Sequence, residues 1–337
     1  MTSCILLTGG AGYIGSHTHI ALTAAGHKVV ILDDFSNAQR SVPARLEQIT
    51  GQPVTVIDAD VRDADALAKV FATHTIDAVV HFAARKAVGE SMAVPLDYFD
   101  VNIAGLITLL RAMDRAGCRR LVFSSSATVY GVPDEAPTPE TAPFRAMNPY
   151  GQTKITGEQM LGWLQASNPE WAVGILRYFN PAGAHGSALI GEDPRDIPNN
   201  LMPYVAKVAL GQLPRVMVFG NDYDTPDGTG VRDYIHVEDL ARGHVLSLEK
   251  LLSTGQGHVV NLGTGRGYSV LEVIAAYQRA SNRDVPHVIT DRRPGDVPIY
   301  VARADKAAEV LGFRTEKGLD EMCASSWKWV SNMADGA

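Results

Sequence analysis

Over the first 180 residues, short apolar runs alternate with stretches of helical period. Runs at residues 5–7, 29–32, 54–57, 78–82, 121–123 and 173–176 are too short for helices and read as buried strands. Between them lie a helix running to about residue 25, a helix of residues 62–71, a long helical pattern over 96–116 and a helix from Tyr150 to about 166. Asn148-Pro149 marks the start of that last helix, since proline is tolerated in a first turn. Strands alternating with helices imply βαβ units and a parallel sheet. The expected fold is therefore α/β: a Rossmann-type doubly wound parallel sheet with a smaller mixed α/β lobe.

After Asn180 the alternation stops. Residues 181–230 are rich in Gly, Pro, Asn and Asp, with one clear helix near 201–210. A helix over 235–250 and a strand over 259–262 look like a return to the main sheet. The division expected is residues 1–180 plus 232–262 for the sheet domain, and 181–231 plus 263–337 for the smaller one.

In such sheets ligands bind at the carboxyl ends of the strands. Asp33, Asp60, Phe82, Ser124, Ser125, Ser126 and Tyr178 all fall there. The turn after the first strand reads Thr8-Gly9-Gly10-Ala11-Gly12-Tyr13-Ile14-Gly15 and matches G-x-G-x-x-G at Gly10, Gly12 and Gly15. Placed between a strand and a helix, this is a dinucleotide loop: glycines allow the tight turn, and a pyrophosphate sits on the helix N-terminus. The second strand ends at Asp33-Asp34, where a carboxylate binds ribose hydroxyls. That charge repels a 2′-phosphate, so the expected cofactor is NAD. Asp60 can cap the helix of residues 62–71 or contact adenine, and the sequence leaves both open.

Composition narrows the partners. The chain has 337 residues and a formal net charge of −7, so a nucleic-acid partner is not expected. No apolar segment is long enough to span a bilayer, and the first residues read as a strand, not a leader. Three scattered cysteines, Cys4, Cys118 and Cys323, fit a reducing cytoplasm. No Cys/His cluster suggests a metal; His17 and His19 are two apart and point to different helix faces.

The candidate chemistry is Tyr150-Gly-Gln-Thr-Lys154 downstream of Ser124–Ser126. Positions four apart share a helix face. A free tyrosine ionises near pH 10, and bringing it near neutrality takes about 4 kcal/mol of differential stabilisation. A cation held close acts in that direction, so Lys154 is expected to draw the Tyr150 phenol down.

With the dinucleotide loop and Ser…Tyr-x-x-x-Lys both present, the chain resembles the extended short-chain dehydrogenase/reductase family. Thr8–His17, Lys86-Ala-Val-Gly-Glu-Ser91, Ser124–Tyr130, Arg177-Tyr-Phe-Asn-Pro181, Ile197–Tyr204 and Gly230-Val-Arg-Asp-Tyr-Ile-His-Val237 narrow the likeness to the UDP-glucose (UDP-galactose) 4-epimerases. That resemblance implies inversion at sugar C4 through a 4-keto intermediate, with tightly bound NAD, in galactose metabolism. Tyr150 would be the acid/base, Ser126 would hydrogen-bond the 4-oxygen, and Lys154 would bind the nicotinamide ribose.

It further implies a NAD site of Tyr13, Ile14, Asn37, Val61, Phe82, Ala83, Ala84, Lys86, Asn102, Ser124, Tyr178 and Phe179. For the UDP-sugar it implies Lys86, Asn180, Asn200, Leu201, Phe219, Arg232, Arg293 and Asp296. Tyr300 would fill the hexose pocket and exclude N-acetyl sugars. A homodimer is expected through the helices of residues 96–116 and Tyr150. Several of these positions have plainer readings: Asn200 as a helix cap, Phe219 as core, Arg293 as surface charge. Ala84-Arg85 departs from a common Gly-Leu, and Arg85 could adjust cofactor or substrate. A dehydratase would need a carboxylate in Ser126-Ala127-Thr128, and none is there. The alternative is a related epimerase of N-acetylhexosamines or uronates, the latter with Arg85 as its only cue.

Overall fold

A computed structural model describes residues 2–194, 198, 200–293 and 296–334. Ile197 and Asn199 of the 197–204 motif lie outside them. In chain order the first elements are β1 (Cys4–Thr8), α1 (Tyr13–Ala24), β2 (Lys28–Asp33), α2 (Val42–Thr50), β3 (Thr55–Asp58), α3 (Ala64–Thr73) and β4 (Ala78–His81). Then come α4 (Val88–Ala93), α5 (Pro95–Phe99), α6 (Gly105–Arg115), β5 (Arg120–Ser126), α7 (Pro149–Ser167) and β6 (Ala172–Tyr178). The second half holds β7 (Asn180–Ala182), α8 (Leu201–Ala209), β8 (Val216–Phe219), β9 (Val231–His236), α9 (Val237–Thr254), β10 (His258–Leu262) and β11 (Gly267–Ser269). The last elements are α10 (Val270–Ser281), β12 (His287–Thr290), β13 (Ile299–Tyr300), α11 (Asp305–Leu311) and α12 (Leu319–Ala334).

Seven strands form one parallel sheet in the order β10-β6-β5-β4-β1-β2-β3. Alternation along each strand divides the core between two faces. Leu6, Val79, Leu121 and Phe123 pack against Leu67, Leu106, Leu109, Met113 and Leu161 of α3, α6 and α7. Ile5, Leu7, Val80 and Val122 pack against Leu22, Leu240, Leu248 and Leu251 of α1 and α9. Strand order reverses between β1 and β4, which opens the crevice where such sheets take ligands.

The smaller lobe centres on β9, which pairs with β7, β13 and antiparallel β11; β8 and β12 form a separate pair. Beneath it, Met202, Val205, Val273, Ile274, Tyr277 and Met322 join α8, α10 and α12 in one core.

Three expectations change. The long helix over 96–116 is α5 and α6 joined by a π-type turn, Asp100–Ala104. The helix expected from residue 235 starts at Val237, because Ile235 and His236 end β9. Within 263–337, Ala307, Leu311 and Phe313 pack on the main sheet's core, not in the smaller lobe.

Candidate active site

The glycine loop meets the switch point. Gly9 has φ +71°, and a Cβ there would stand 2.6 Å from the Ala83 nitrogen, so only glycine lets the β1 and β4 turns close on each other. Thr8 O accepts from both Phe82 N and Ala83 N. A Cβ on Gly15 would stand 2.4 Å from Gly9 O, which seats α1 against the loop. Gly12 differs: its added Cβ would meet only Gly9 O, at 3.3 Å. Gly12 is also the residue from which α1 starts, with no side chain on its free amides. Tyr13 and Ile14 open the helix, and the Tyr13 hydroxyl donates to Gly183 O at 2.6 Å, tying the loop to the smaller lobe.

Asp33 ends β2. Its carboxylate accepts from Ala11 N and Phe35 N, both at 2.9 Å, so it already orders the loop. Burial raises its pKa, opposed by those two amides. Asp34 and Asn37 are exposed on the following turn, where Asp34 accepts from Ser36. Asp60 is not the cap of the next helix: Asp63 is, accepting from Asp65 N and Ala66 N. Asp60 pairs with the Arg62 guanidinium, which lowers its pKa, and Val61 beside it is buried. A glycine turn at a helix start whose amides carry no side-chain cap, followed by a strand-terminal carboxylate, fits a dinucleotide.

Across the switch point, Phe82, Ala83 and Ala84 are half-buried on the turn after β4. Asn102, in the π-type turn, accepts from Arg85 N and donates to Arg85 O and to Thr153 Oγ1 at 3.0 Å. Thr153 donates to Tyr150 O, so this chain of bonds locks the β4 turn to α7. The Arg85 guanidinium lies 3.3 Å from Glu90 and 3.6 Å from Asp97, paired with helix carboxylates and therefore a poor ligand for a sugar carboxylate.

Tyr150, Lys154 and Ser126 come together as the spacing predicts. α7 starts on Asn148, whose side chain accepts from Gly151 N, and carries Tyr150 and Lys154 on one buried face. Ser126, the last residue of β5, accepts from Thr128 N at 3.2 Å and Thr128 Oγ1 at 3.0 Å. One detail corrects the sequence reading. Lys154 Nζ donates to Ser124 O at 2.7 Å and sits 5.8 Å from the Tyr150 ring centre. Burial pushes the Tyr150 phenol above its usual value, with Ser126 acting the other way, and it pushes Lys154 down to about 8. The protein alone thus favours neutral tyrosine, because desolvation outweighs a cation committed to a carbonyl.

The smaller lobe gathers most of the other positions. Arg293 stacks on the Phe219 ring at 4.0 Å, which makes Phe219 a half-buried platform and not core. Asp296 lies 3.8 Å from Arg293 and 3.5 Å from Arg232, whose guanidinium also donates to the carbonyls of Val231 and Val297. Asn200 occupies the start of α8 but makes no capping bond; its amide donates to Glu192 at 2.9 Å. Lys86 Nζ reaches that same carboxylate at 3.4 Å. Leu201 opens α8 half-buried, and Asn180 pairs with Tyr234 in register.

Tyr178 is half-buried at the end of β6, with Phe179 next to it. Tyr300 packs on Phe179, 5.3 Å between ring centres, and its hydroxyl donates to the carbonyl of Ala127, the neighbour of Ser126. Sequence reasoning passed over Glu192 and Thr153. Each acts through distant partners, and neither stands in a recognisable spacing.

The sequence profile described as the NAD dependent epimerase/dehydratase family matches residues 5–263. A UDP-glucose 4-epimerase of Bacillus subtilis is 54% identical over 332 residues, covering 98% of either chain. A solved UDP-glucose 4-epimerase from Stenotrophomonas maltophila, with bound NAD and formylated UDP-arabinopyranose, superposes with a TM-score of 0.98 at 51% identity, over 99% of this chain and 100% of that one. One from Bifidobacterium longum, in complex with NAD+ and UDP, gives 0.94 at 49%, with the same coverage. The chain belongs to the NAD dependent epimerase/dehydratase family.

Proposed function

We propose that this protein interconverts UDP-glucose and UDP-galactose by inverting C4 of the hexose, with NAD as its bound cofactor. One observation carries the assignment to this geometry: Tyr300, whose strand pairs with Arg232, bonds the turn that follows Ser126. That bond supports reading the Phe219–Arg293–Asp296–Arg232 cluster and the Tyr150–Lys154–Ser126 group as serving one ligand.

The roles follow from chemistry. Gly9, Gly12, Tyr13, Ile14, Gly15 and Asp33 would hold the pyrophosphate and ribose, and the β4 turn with Asn102, Tyr178 and Phe179 the far half of the cofactor. NAD, when bound, supplies the hydride acceptor and donor at C4 and a cationic ring. Tyr150 takes the proton of the 4-hydroxyl as hydride leaves and returns it after the 4-keto sugar has turned over. Ser126 donates to the 4-oxygen. Lys154 stabilises the phenolate and binds ribose hydroxyls. Arg232 and Arg293 suit a diphosphate, since guanidinium binds it bidentately, and Phe219 offers an aromatic face to uracil.

Buried Tyr300 narrows the hexose pocket, so N-acetyl sugars are excluded. The pairing of Arg85 with Glu90 and Asp97 disfavours a uronate. We further assign a sheet domain of 1–180 with 237–262 and the 305–313 segment, and a smaller UDP-sugar domain from the remainder.

A homodimer is supported by Val88, Met92, Leu96, Phe99 and Trp163, exposed on the adjoining helices α4, α5 and α7; Leu96 is 80% and Trp163 77% exposed, unusual unless covered. A sedimentation mass of one chain at micromolar concentration would contradict it. Among the described residues no helix is long and apolar enough to cross a membrane. The three free thiols fit a cytoplasmic setting. The purified protein, given UDP-galactose and no added NAD, should form UDP-glucose and leave UDP-N-acetylglucosamine unchanged. Stoichiometric NADH release or a 4-keto-6-deoxy product would overturn the first expectation, and fast turnover of the N-acetyl sugar the second.

A further inference from the structure

The face of α7 that carries Tyr150 and Lys154 continues to Glu158, one more step of four residues. Lys154, Glu158 and Arg177 are each only 5% exposed. Arg177, on β6, grips the Glu158 carboxylate through Nε at 2.9 and 3.1 Å and Nη2 at 2.6 Å. Ser125 donates its hydroxyl to the same carboxylate, while the next carbonyl back, Ser124 O, holds the Lys154 ammonium. Arg177 is fixed in turn by Glu140 O at 2.9 Å and the Tyr130 hydroxyl at 3.1 Å, and Tyr130 donates to Asn261 at 2.6 Å.

A buried ion pair contributes little net stability against its desolvation cost, but its geometry fixes whatever it touches. Here it touches the end of β5, between the carbonyl that holds Lys154 and the serine of the acid/base group. Among the described residues, the charged and titratable groups acting on or lying beside Lys154 are Tyr150 and Glu158 on its own helix and His81 on β4, with the Arg177 guanidinium of β6 paired to Glu158. Of these, Glu158 supplies the negative charge; its attraction opposes the desolvation of the lysine.

We propose that Glu158 is a positioning residue for Lys154: clamped by Arg177 and bonded by Ser125, its carboxylate fixes the end of β5 whose Ser124 carbonyl holds the ammonium beside Tyr150. It acts through Lys154 and touches neither substrate nor cofactor. This inference rests on the epimerase reading of the site. Without the carboxylate, Lys154 loses its proton at lower pH, and Tyr150 then loses the cation that stabilises its phenolate.

The test compares NAD-loaded wild type with Glu158→Gln and Glu158→Asp. Two quantities are read: kcat against pH, and phenolate absorbance against pH with Tyr150→Phe as the blank. Glu158→Gln should move the alkaline limb of kcat down by about one pH unit and move phenolate formation up by a similar amount. Glu158→Asp, which keeps the charge, should stay near wild type even if its melting point falls. Profiles of Glu158→Gln that superimpose on wild type, or equal displacement in both variants, would overturn the proposal. If Glu158→Gln does not fold, Glu158→Gln/Arg177→Met removes both charges; a wild-type profile there also overturns it, and a displaced one supports it. Wild type that makes no UDP-glucose refutes the parent reading instead, so the two failures are distinguishable.

Discussion

Tyr150 sits in an environment that holds its proton. Burial raises its pKa, and the Lys154 ammonium spends its shortest contact on Ser124 O. In the proposed role, the phenol therefore needs further positive charge or a hydrogen-bonding substrate to become a base. Tyr150→Phe removes the proposed acid/base and keeps the ring. It should retain NAD and UDP binding while kcat falls by a factor of about 10²–10⁴; unchanged turnover in stopped assays would remove Tyr150 from the chemistry. The pair was legible because i, i+4 spacing on a helix is a geometric fact. The sign of its proton equilibrium was not, since desolvation depends on what the whole fold places overhead.

Among the elements, the β1–α1 turn is where local sequence and function coincide. Gly9→Ala would combine a positive φ with a Cβ against the Ala83 backbone, 2.6 Å away. Gly26→Ala serves as the control, with φ +86° and nothing within 4 Å of its Cβ. The control should lose about 1 kcal/mol and keep its NAD. Gly9→Ala should lose more stability in urea titrations and most of its bound NAD, measured by absorbance of the released cofactor. Equal behaviour of the two would contradict the loop's role.

The sheet strands and the glycine loop were readable because apolar runs and glycine spacing are local signals. Strand β9 was not. His236 both ends it and caps α9, accepting from Glu238 N, and histidine is not a residue that announces a helix start. Asp233 lies fully buried within that strand, satisfied by Thr264, Gly265 and Ala302, partners far away in sequence. A buried carboxylate amid apolar residues disguises a strand when its partners are unseen. The π-type turn was hidden for a different reason: Asp100–Ala104 carries no glycine or proline to mark it, yet it holds Asn102 against the β4 turn.

For the whole molecule, buried histidines make folding sensitive to acid. His17 and His81 are pushed down to about 3, and His19, His236, His244 and His258 to about 4, with burial the largest cause in each case. Their unfolded forms take up protons near pH 6.5. Folded-state values lie below unfolded ones, so their contribution is complete above pH 6.5 and is lost as pH falls toward 4. Asp233, raised to about 6, works oppositely between its unfolded value and 6. The six histidines outnumber the raised carboxylates Asp33 and Asp233, so unfolding near pH 5 takes up protons and stability falls as the pH drops. Urea midpoints should therefore drop steeply from pH 6.5 to 4.5; a flat profile would contradict the burial of these rings.

In the proposed reaction one hydride leaves C4 and returns to the opposite face of the same carbon. UDP-galactose deuterated at C4, incubated with the holoenzyme in ordinary water, tests it by mass and NMR of the UDP-glucose formed. The product should keep its deuterium at C4. Loss of that deuterium to solvent, at a rate matching turnover, would contradict it.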